Sequence, residues 1–184
     1  EPRTLGGIDA RASLRAGLRS GGDMLPLKRR AHKRRAPPLI VLCDISGSMS
    51  CYTRLFLLFV HAAANHLRDV HVLTFGTRLT NVTRQLRHRD ADVALADIGR
   101  KVNDWSGGTR IGDCLHAFNR QWSRRLLAQG AGVLLLTDGL ERGDAAQLAS
   151  VAERLHKSCR GLIWLNPLLR YSGFEARAAG VKAL

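Results

Sequence analysis

The chain has 184 residues, 45% of them hydrophobic and 24% charged. That balance fits a single folded domain able to bury a core, and it excludes global disorder. Lys and Arg number 29 against 15 Asp and Glu, a net charge of +14. An anionic partner is therefore expected: nucleic acid, a membrane surface or an acidic protein face. No apolar run is long enough for a membrane-spanning helix. The chain opens at Glu1 without Met or an apolar leader and reads as a fragment of a longer product. Cys43, Cys51, Cys114 and Cys159 form no C-x-x-C pair and no zinc spacing. A reducing compartment, the cytoplasm, is the expectation.

Residues 1–38 form a basic arm. They hold ten of the basic residues but only three of the acidic ones, half of the net charge in a fifth of the length. Leu14 and Leu18 lie four apart, as do Arg11, Arg15 and Arg19. The spacing predicts a short helix with an apolar seam beside an arginine stripe. Like charges at this spacing repel unless an anion faces them, so the three arginines are candidate partner-binding residues. Gly21-Gly22 ends the helix, and the basic run Lys28–Arg35 closes at Pro37-Pro38.

From residue 39 strands and helices alternate. The apolar run 39–43 reads as a buried parallel strand. A helix is expected over 52–67, a strand over 70–75, and an antiparallel return over 78–83 after Gly76-Thr77. Helices follow over 92–103 and 111–128, separated by a loop at Trp105-Ser-Gly-Gly. Residues 132–136 read as a strand, 144–157 as a helix with Asp144 as its cap, and 161–165 as a strand stopped by Asn166-Pro167. This is an α/β sheet covered on both faces. The expected division is an arm at 1–38, an α/β domain at 39–170 and a weakly patterned tail at 171–184.

In an open α/β sheet, ligands sit beyond the carboxyl ends of the strands, at the switch point of the topology. After the first strand come Asp44, Ser46 and Ser48, with Gly47 between the serines. After the strand at 132–136 comes Thr137-Asp138-Gly139. Before the helix at 111 comes Ser106-Gly107-Gly108-Thr109. Two carboxylates and three hydroxyls would then converge on one edge. All are hard oxygen donors, which suit Mg²⁺ or Mn²⁺ rather than Zn²⁺. Glu141, on the rim after Asp138, is a candidate for selecting a partner by charge. Taken singly, the Asp-x-Ser-x-Ser run also reads as a helix cap, and Thr-Asp-Gly as a turn. The seven histidines make no ligand spacing, and Trp105 and Trp164 read as packing or loop anchors.

The residues DISGS at 44–48, Thr109 in SGGT and Asp138 in TDG resemble the metal-ion-dependent adhesion site of von Willebrand factor type A (VWA) domains. The match to one branch is closer. LCDISGSM (42–49), FGTRLT (75–80), WSGGTRIG (105–112) and WLNP (164–167) resemble the CoxE-like family, as does the arginine-striped segment 9–22. The resemblance implies a Rossmann-like, six-stranded sheet, mostly parallel with one antiparallel edge strand. It implies that Ser46, Ser48 and Thr109 ligate an ion by hydroxyl oxygen, and Asp44 and Asp138 directly or through water. It also implies an adaptor rather than an enzyme. Expected partners are a MoxR-type AAA+ ATPase, which would carry the ATP chemistry because no P-loop occurs here, and a client metalloenzyme such as molybdenum-containing carbon monoxide dehydrogenase. An acidic residue of a partner would complete the ion's shell.

Two other readings remain. A Mg²⁺-dependent phosphohydrolase would use Asp44 as nucleophile, but the general acid expected two residues on is replaced by Ser46. Nucleic-acid binding through residues 11–35 is argued against by the absence of interleaved aromatics and of any RNP or zinc-finger pattern.

Overall fold

A strand buried on both faces needs an unbroken apolar run, and Leu39–Asp44 forms the central strand β1. The computed structural model describes residues 7–19, 21, 26–29, 36–102, 108–171 and 178–184. Two compact units are resolved, Glu1–Ala36 and Pro37–Leu184.

In the larger unit, β1 pairs in parallel with β2 (Val70–Phe75) on one side and β4 (Gly132–Leu136) on the other. An antiparallel β3 (Leu79–Asn81) closes one edge and a parallel β5 (Gly161–Leu165) the other. The order is β3-β2-β1-β4-β5, so the chain reverses its direction of travel between β1 and β4. Five strands are present among the described residues, where the family resemblance implied six. β3 is also shorter than expected. Beyond Asn81 the Thr83 hydroxyl takes over, accepting from the Val72 N–H at 2.9 Å and donating to the Val72 carbonyl at 3.2 Å.

Helices pack on both faces. Ile40, Leu42, Leu73, Phe75 and Leu135 meet α4 (Ile111–Gln121) and α6 (Ala145–Ser158). Val41, Cys43, Val72, Leu134 and Leu136 point the other way, towards α2 (Ser50–His66) and α3 (Ala91–Lys101). The helix expected over 111–128 breaks at Trp122 and resumes as the short α5 (Ser123–Leu126). There the Ser123 hydroxyl donates to the Asn119 carbonyl at 2.6 Å, a local bond that competes with helix continuation. Asp90 caps α3, accepting from Asp92 and Val93 N–H, and Asp144 caps α6, accepting from Ala146 N–H at 2.9 Å. The chain ends in α7 (Ala179–Ala183), which packs against α6. Among the described residues no helix is long and apolar enough to cross a membrane.

The smaller unit contains α1 (Ala10–Arg19). The Ser13 hydroxyl donates to the Asp9 carbonyl and accepts from the Lys28 N–H, both at 2.8 Å, tying the helix to the returning chain. Its buried positions are Ser13 and Gly17. The expected seam faces outward instead, with Leu14 55% and Leu18 77% exposed. Small residues allow close backbone approach and leave the leucines no room inside. Arg11, Arg15 and Arg19 are exposed beside them.

Replacing Asp144 by Ala removes the α6 cap and is expected to lower unfolding stability by about 1 kcal/mol in urea titrations, leaving the denaturant slope unchanged.

Candidate metal centre

β1 delivers Asp44 to the carboxyl edge of the sheet, with the whole residue buried. Its Oδ1 accepts the Ser46 N–H at 2.8 Å, and its Oδ2 accepts the Thr137 hydroxyl at 2.6 Å. Burial is the largest influence on this carboxyl and pushes its pKa up to about 6. The Thr137 and Ser46 hydrogen bonds pull it down, and the nearby negative charge of Asp138 raises it further. Two buried carboxylates therefore stand at the carboxyl ends of the adjacent strands β1 and β4.

The chain after Asp44 forms a tight 3₁₀ turn, Gly47–Met49, leading into α2. Neither Ser46 before the turn nor Met49 before α2 makes a side-chain capping bond. The helix-cap alternative for this run is thus not what the serines do. The Ser46 and Ser48 hydroxyls lie 3.2 Å apart, the first buried and the second exposed. Asp138 follows β4 and is buried, and its Oδ1 accepts the Leu140 N–H at 3.0 Å.

Thr109 reaches the same edge by way of its backbone. Its carbonyl accepts the Arg142 N–H at 3.1 Å, and the Arg110 N–H donates to the Gly76 carbonyl at 3.1 Å. Gly76 follows β2 and Arg142 follows β4, so the Thr109 segment is fastened to loops on both sides of β1. Thr109 itself is buried. The structure thus brings Asp44, Ser46, Ser48, Thr109 and Asp138 to one end of the sheet. Trp105, Ser106 and Gly107 lie outside the described residues.

Glu141 is bonded within its own unit. Its Oε2 accepts the Gly112 N–H in the first turn of α4 at 2.8 Å, and its Oε1 accepts the Gly143 N–H at 2.5 Å. The carboxylate sits against the positive end of a helix and braces the Thr109 loop. The arginines of α1 belong to the other unit.

Thr137 and Asn166 were not assigned to the site from the sequence, whereas Trp164 was read as a packing or loop anchor. Thr137 holds the Asp44 carboxylate. Trp164 donates from Nε1 to the Thr137 carbonyl at 2.9 Å, and buried Asn166 donates from Nδ2 to the Asp138 carbonyl at 3.1 Å. Their signals were present in the hydroxyl next to Asp138 and in the polar end of β5, but the bonds span 27 to 93 positions in sequence. Gly139 has φ +78°, a left-handed turn glycine provides without strain. A Cβ on Gly180 would collide with the Gly139 carbonyl oxygen, so α7 lies directly on the Asp138 loop.

A profile for VWA domain containing CoxE-like proteins matches residues 1–184. The chain belongs to this family. Among solved structures, the chain is similar to the manganese-loaded TRAP protein of Plasmodium vivax, at 22% identity and TM-score 0.50. That match covers 72% of this chain and 58% of the other. It is also similar to a von Willebrand factor type A protein from Catenulispora acidiphila, at 20% identity and TM-score 0.47, covering 75% of this chain and 33% of that one. Mussel byssus proximal thread matrix protein 1 with a zinc-occupied MIDAS motif matches at 16% identity and TM-score 0.44, over 72% and 37% of the two chains. The chain therefore spans between a third and three-fifths of the length of these proteins. No curated protein matches the chain closely enough to be named as a relative.

Burial, with a smaller contribution from the charge of Asp138, makes the ionised Asp44 of this CoxE-like chain costly when no cation is present. Its folded pKa lies above the ordinary 3.8, so protonation stabilises the fold fully below that value and the contribution is lost as pH rises through about 6. In EDTA, wild type is expected to lose on the order of 3 kcal/mol relative to Asp44→Asn between pH 4 and 7. Denaturation at a series of pH values measures the difference, and parallel curves would remove the buried-charge account.

Proposed function

We propose that this chain is a non-catalytic, metal-dependent protein-interaction module. Asp44, Ser46, Ser48, Thr109 and Asp138 would hold one divalent cation, Mg²⁺ or Mn²⁺. The observation that carries the reading is the pair of buried carboxylates, Asp44 and Asp138, whose mutual repulsion no described cationic side chain offsets. A hard divalent cation relieves that repulsion, and the surrounding donors are all oxygens. When bound, the ion supplies an electrophilic centre for a partner's carboxylate.

The chain's own residues divide the remaining tasks. Thr137 and the Ser46 N–H orient the Asp44 carboxylate. Glu141 and Arg142 keep the Thr109 loop against the Asp138 loop. Ser46 occupies the position where a phosphohydrolase needs its general acid, which favours binding over turnover in this reading.

The family resemblance supplies the identity of the partners in this proposal. A MoxR-type AAA+ ATPase would be one, and a metalloenzyme undergoing maturation, such as molybdenum-containing carbon monoxide dehydrogenase, the other. The exposed arginines of α1 would hold an acidic face of one of them.

Two measurements test this. Mg²⁺ in excess over its Kd is expected to raise the melting temperature of wild type at pH 7.5, and to leave Asp44→Ala unchanged. Affinity capture of the cognate ATPase and client should then require both Mg²⁺ and an intact Asp44 and Ser46. Binding that survives EDTA and the double substitution to Ala would overturn the metal-bridged mechanism.

A further inference from the structure

Beyond Asp138 the rim of the candidate metal centre carries three more charges: Glu141, Arg142 and Asp144. Two of them are committed to backbone. Glu141 accepts the Gly112 and Gly143 N–H groups, and Asp144 accepts the Ala146 N–H. Arg142 lies between these carboxylates in sequence, yet it pairs with neither. Among the described residues its guanidinium makes no ion pair and donates no hydrogen bond. Arg110, on the neighbouring loop, is turned to Asp113 at 3.7 Å.

An exposed arginine without a partner ordinarily keeps its rotamer freedom and extends into water. The Arg142 side chain instead lies across Gly108. A Cβ added to Gly108 would stand 2.8 Å from Arg142 Cδ, 3.0 Å from its Nη1 and 3.2 Å from its Nε. The stem and the guanidinium thus run over a residue with no side chain of its own. Gly108 directly precedes Thr109, and the Arg142 N–H holds the Thr109 carbonyl at 3.1 Å. Backbone and side chain of Arg142 therefore meet the same loop, and an unpaired cation is left on the rim one residue from a candidate ligand.

Charge balance gives this cation a task. Asp44 and Asp138 together neutralise a divalent ion, so a partner's carboxylate would arrive with its own negative charge unmatched. Glu141 on the same rim would oppose it further. A guanidinium offers forked N–H donors that fit a carboxylate's two oxygens, and it is more weakly hydrated than an ammonium. We propose that Arg142 is the specificity-determining residue for the partner's acidic side chain: its guanidinium, laid over Gly108, holds the carboxylate that reaches the metal centre. The assignment rests on the metal-dependent binding proposed above and adds the residue that selects the ligand. An uncharged amide on the partner would leave the charge of Arg142 unmatched and is discriminated against.

The probe for the test is acetate, read in the full chain by the broadening of its methyl proton resonance by protein-bound Mn²⁺. Wild type is expected to bind Mn²⁺, followed by electron paramagnetic resonance, and to broaden acetate saturably. Asp44→Ala should abolish both, and acetamide should not compete with acetate. Arg142→Gln is expected to weaken acetate about fivefold. Its Mn²⁺ affinity should be unchanged, because the tie to Thr109 is made by the backbone. Gly108→Ala keeps the charge but displaces the side chain, and should weaken acetate to a similar degree. The φ of Gly108 is not positive, so the backbone accepts Ala. Arg154→Gln removes the same charge from an exposed position on α6 and should change nothing. Circular dichroism verifies that each variant folds. Equal acetate affinity in wild type and Arg142→Gln overturns the proposal, and so does an equal loss in Arg154→Gln. A fall in Mn²⁺ affinity on Arg142→Gln would make the side chain a support of the cation site and overturns it as well. Unaltered acetate affinity in Gly108→Ala overturns the position assigned to the guanidinium. Wild type that binds no Mn²⁺ would overturn the metal-dependent reading itself, and this inference with it.

Discussion

A carboxylate at the end of the central strand, shut away from water, governs the rest of this molecule. Asp44 is buried between β2 and β4, held by one hydroxyl and one amide, with a second carboxylate nearby. A charge in that position is costly unless it is paired. The architecture around it works to keep its oxygens aimed in fixed directions. Thr137 is itself held by the Trp164 indole through its carbonyl, and its hydroxyl accepts the Gly139 N–H at 3.1 Å. The Asp138 loop is then pinned by Asn166 and covered by α7. The Thr137–Asp44, Trp164–Thr137 and Asn166–Asp138 bonds each join the end of one parallel strand to the end of another, so the site's rigidity comes from the sheet.

The topology explains why these loops meet. β1 neighbours both β2 and β4, and the chain reaches them by crossovers that pass over opposite faces. A crevice opens where the crossovers diverge. The Thr109 segment fills the gap with its backbone, one bond to the end of β2 and one to the loop after β4. Glu141 adds a third tie by capping α4. Its carboxylate thus belongs to the frame, because it accepts a free N–H at the N-terminus of α4.

The strands of the sheet are not covered alike. Among the described residues, β1, β2 and β4 bury apolar side chains on both faces, and β5 packs Leu162 and Trp164 on one.

Much was legible in the amino-acid order. The runs at 39–43, 70–75, 132–136 and 161–165 were readable as strands because local hydrophobicity and β-branching suffice for that. The oxygen donors after β1 and β4 were legible because their spacing along one loop is short. The break at Trp122, the shortened β3 and the outward leucines of α1 were not, since each depends on a side-chain bond or a packing partner that periodicity does not encode. By itself the sequence determined that oxygen-bearing residues follow β1 and β4 and which segments are strands and helices, because both follow from neighbours in the chain. Only the tertiary structure decided that Thr137 holds Asp44 across 93 positions, that Glu141 caps a helix, and that β5 lies half uncovered. Those outcomes depend on which strand lies beside which, and strand order is a property of the packed sheet.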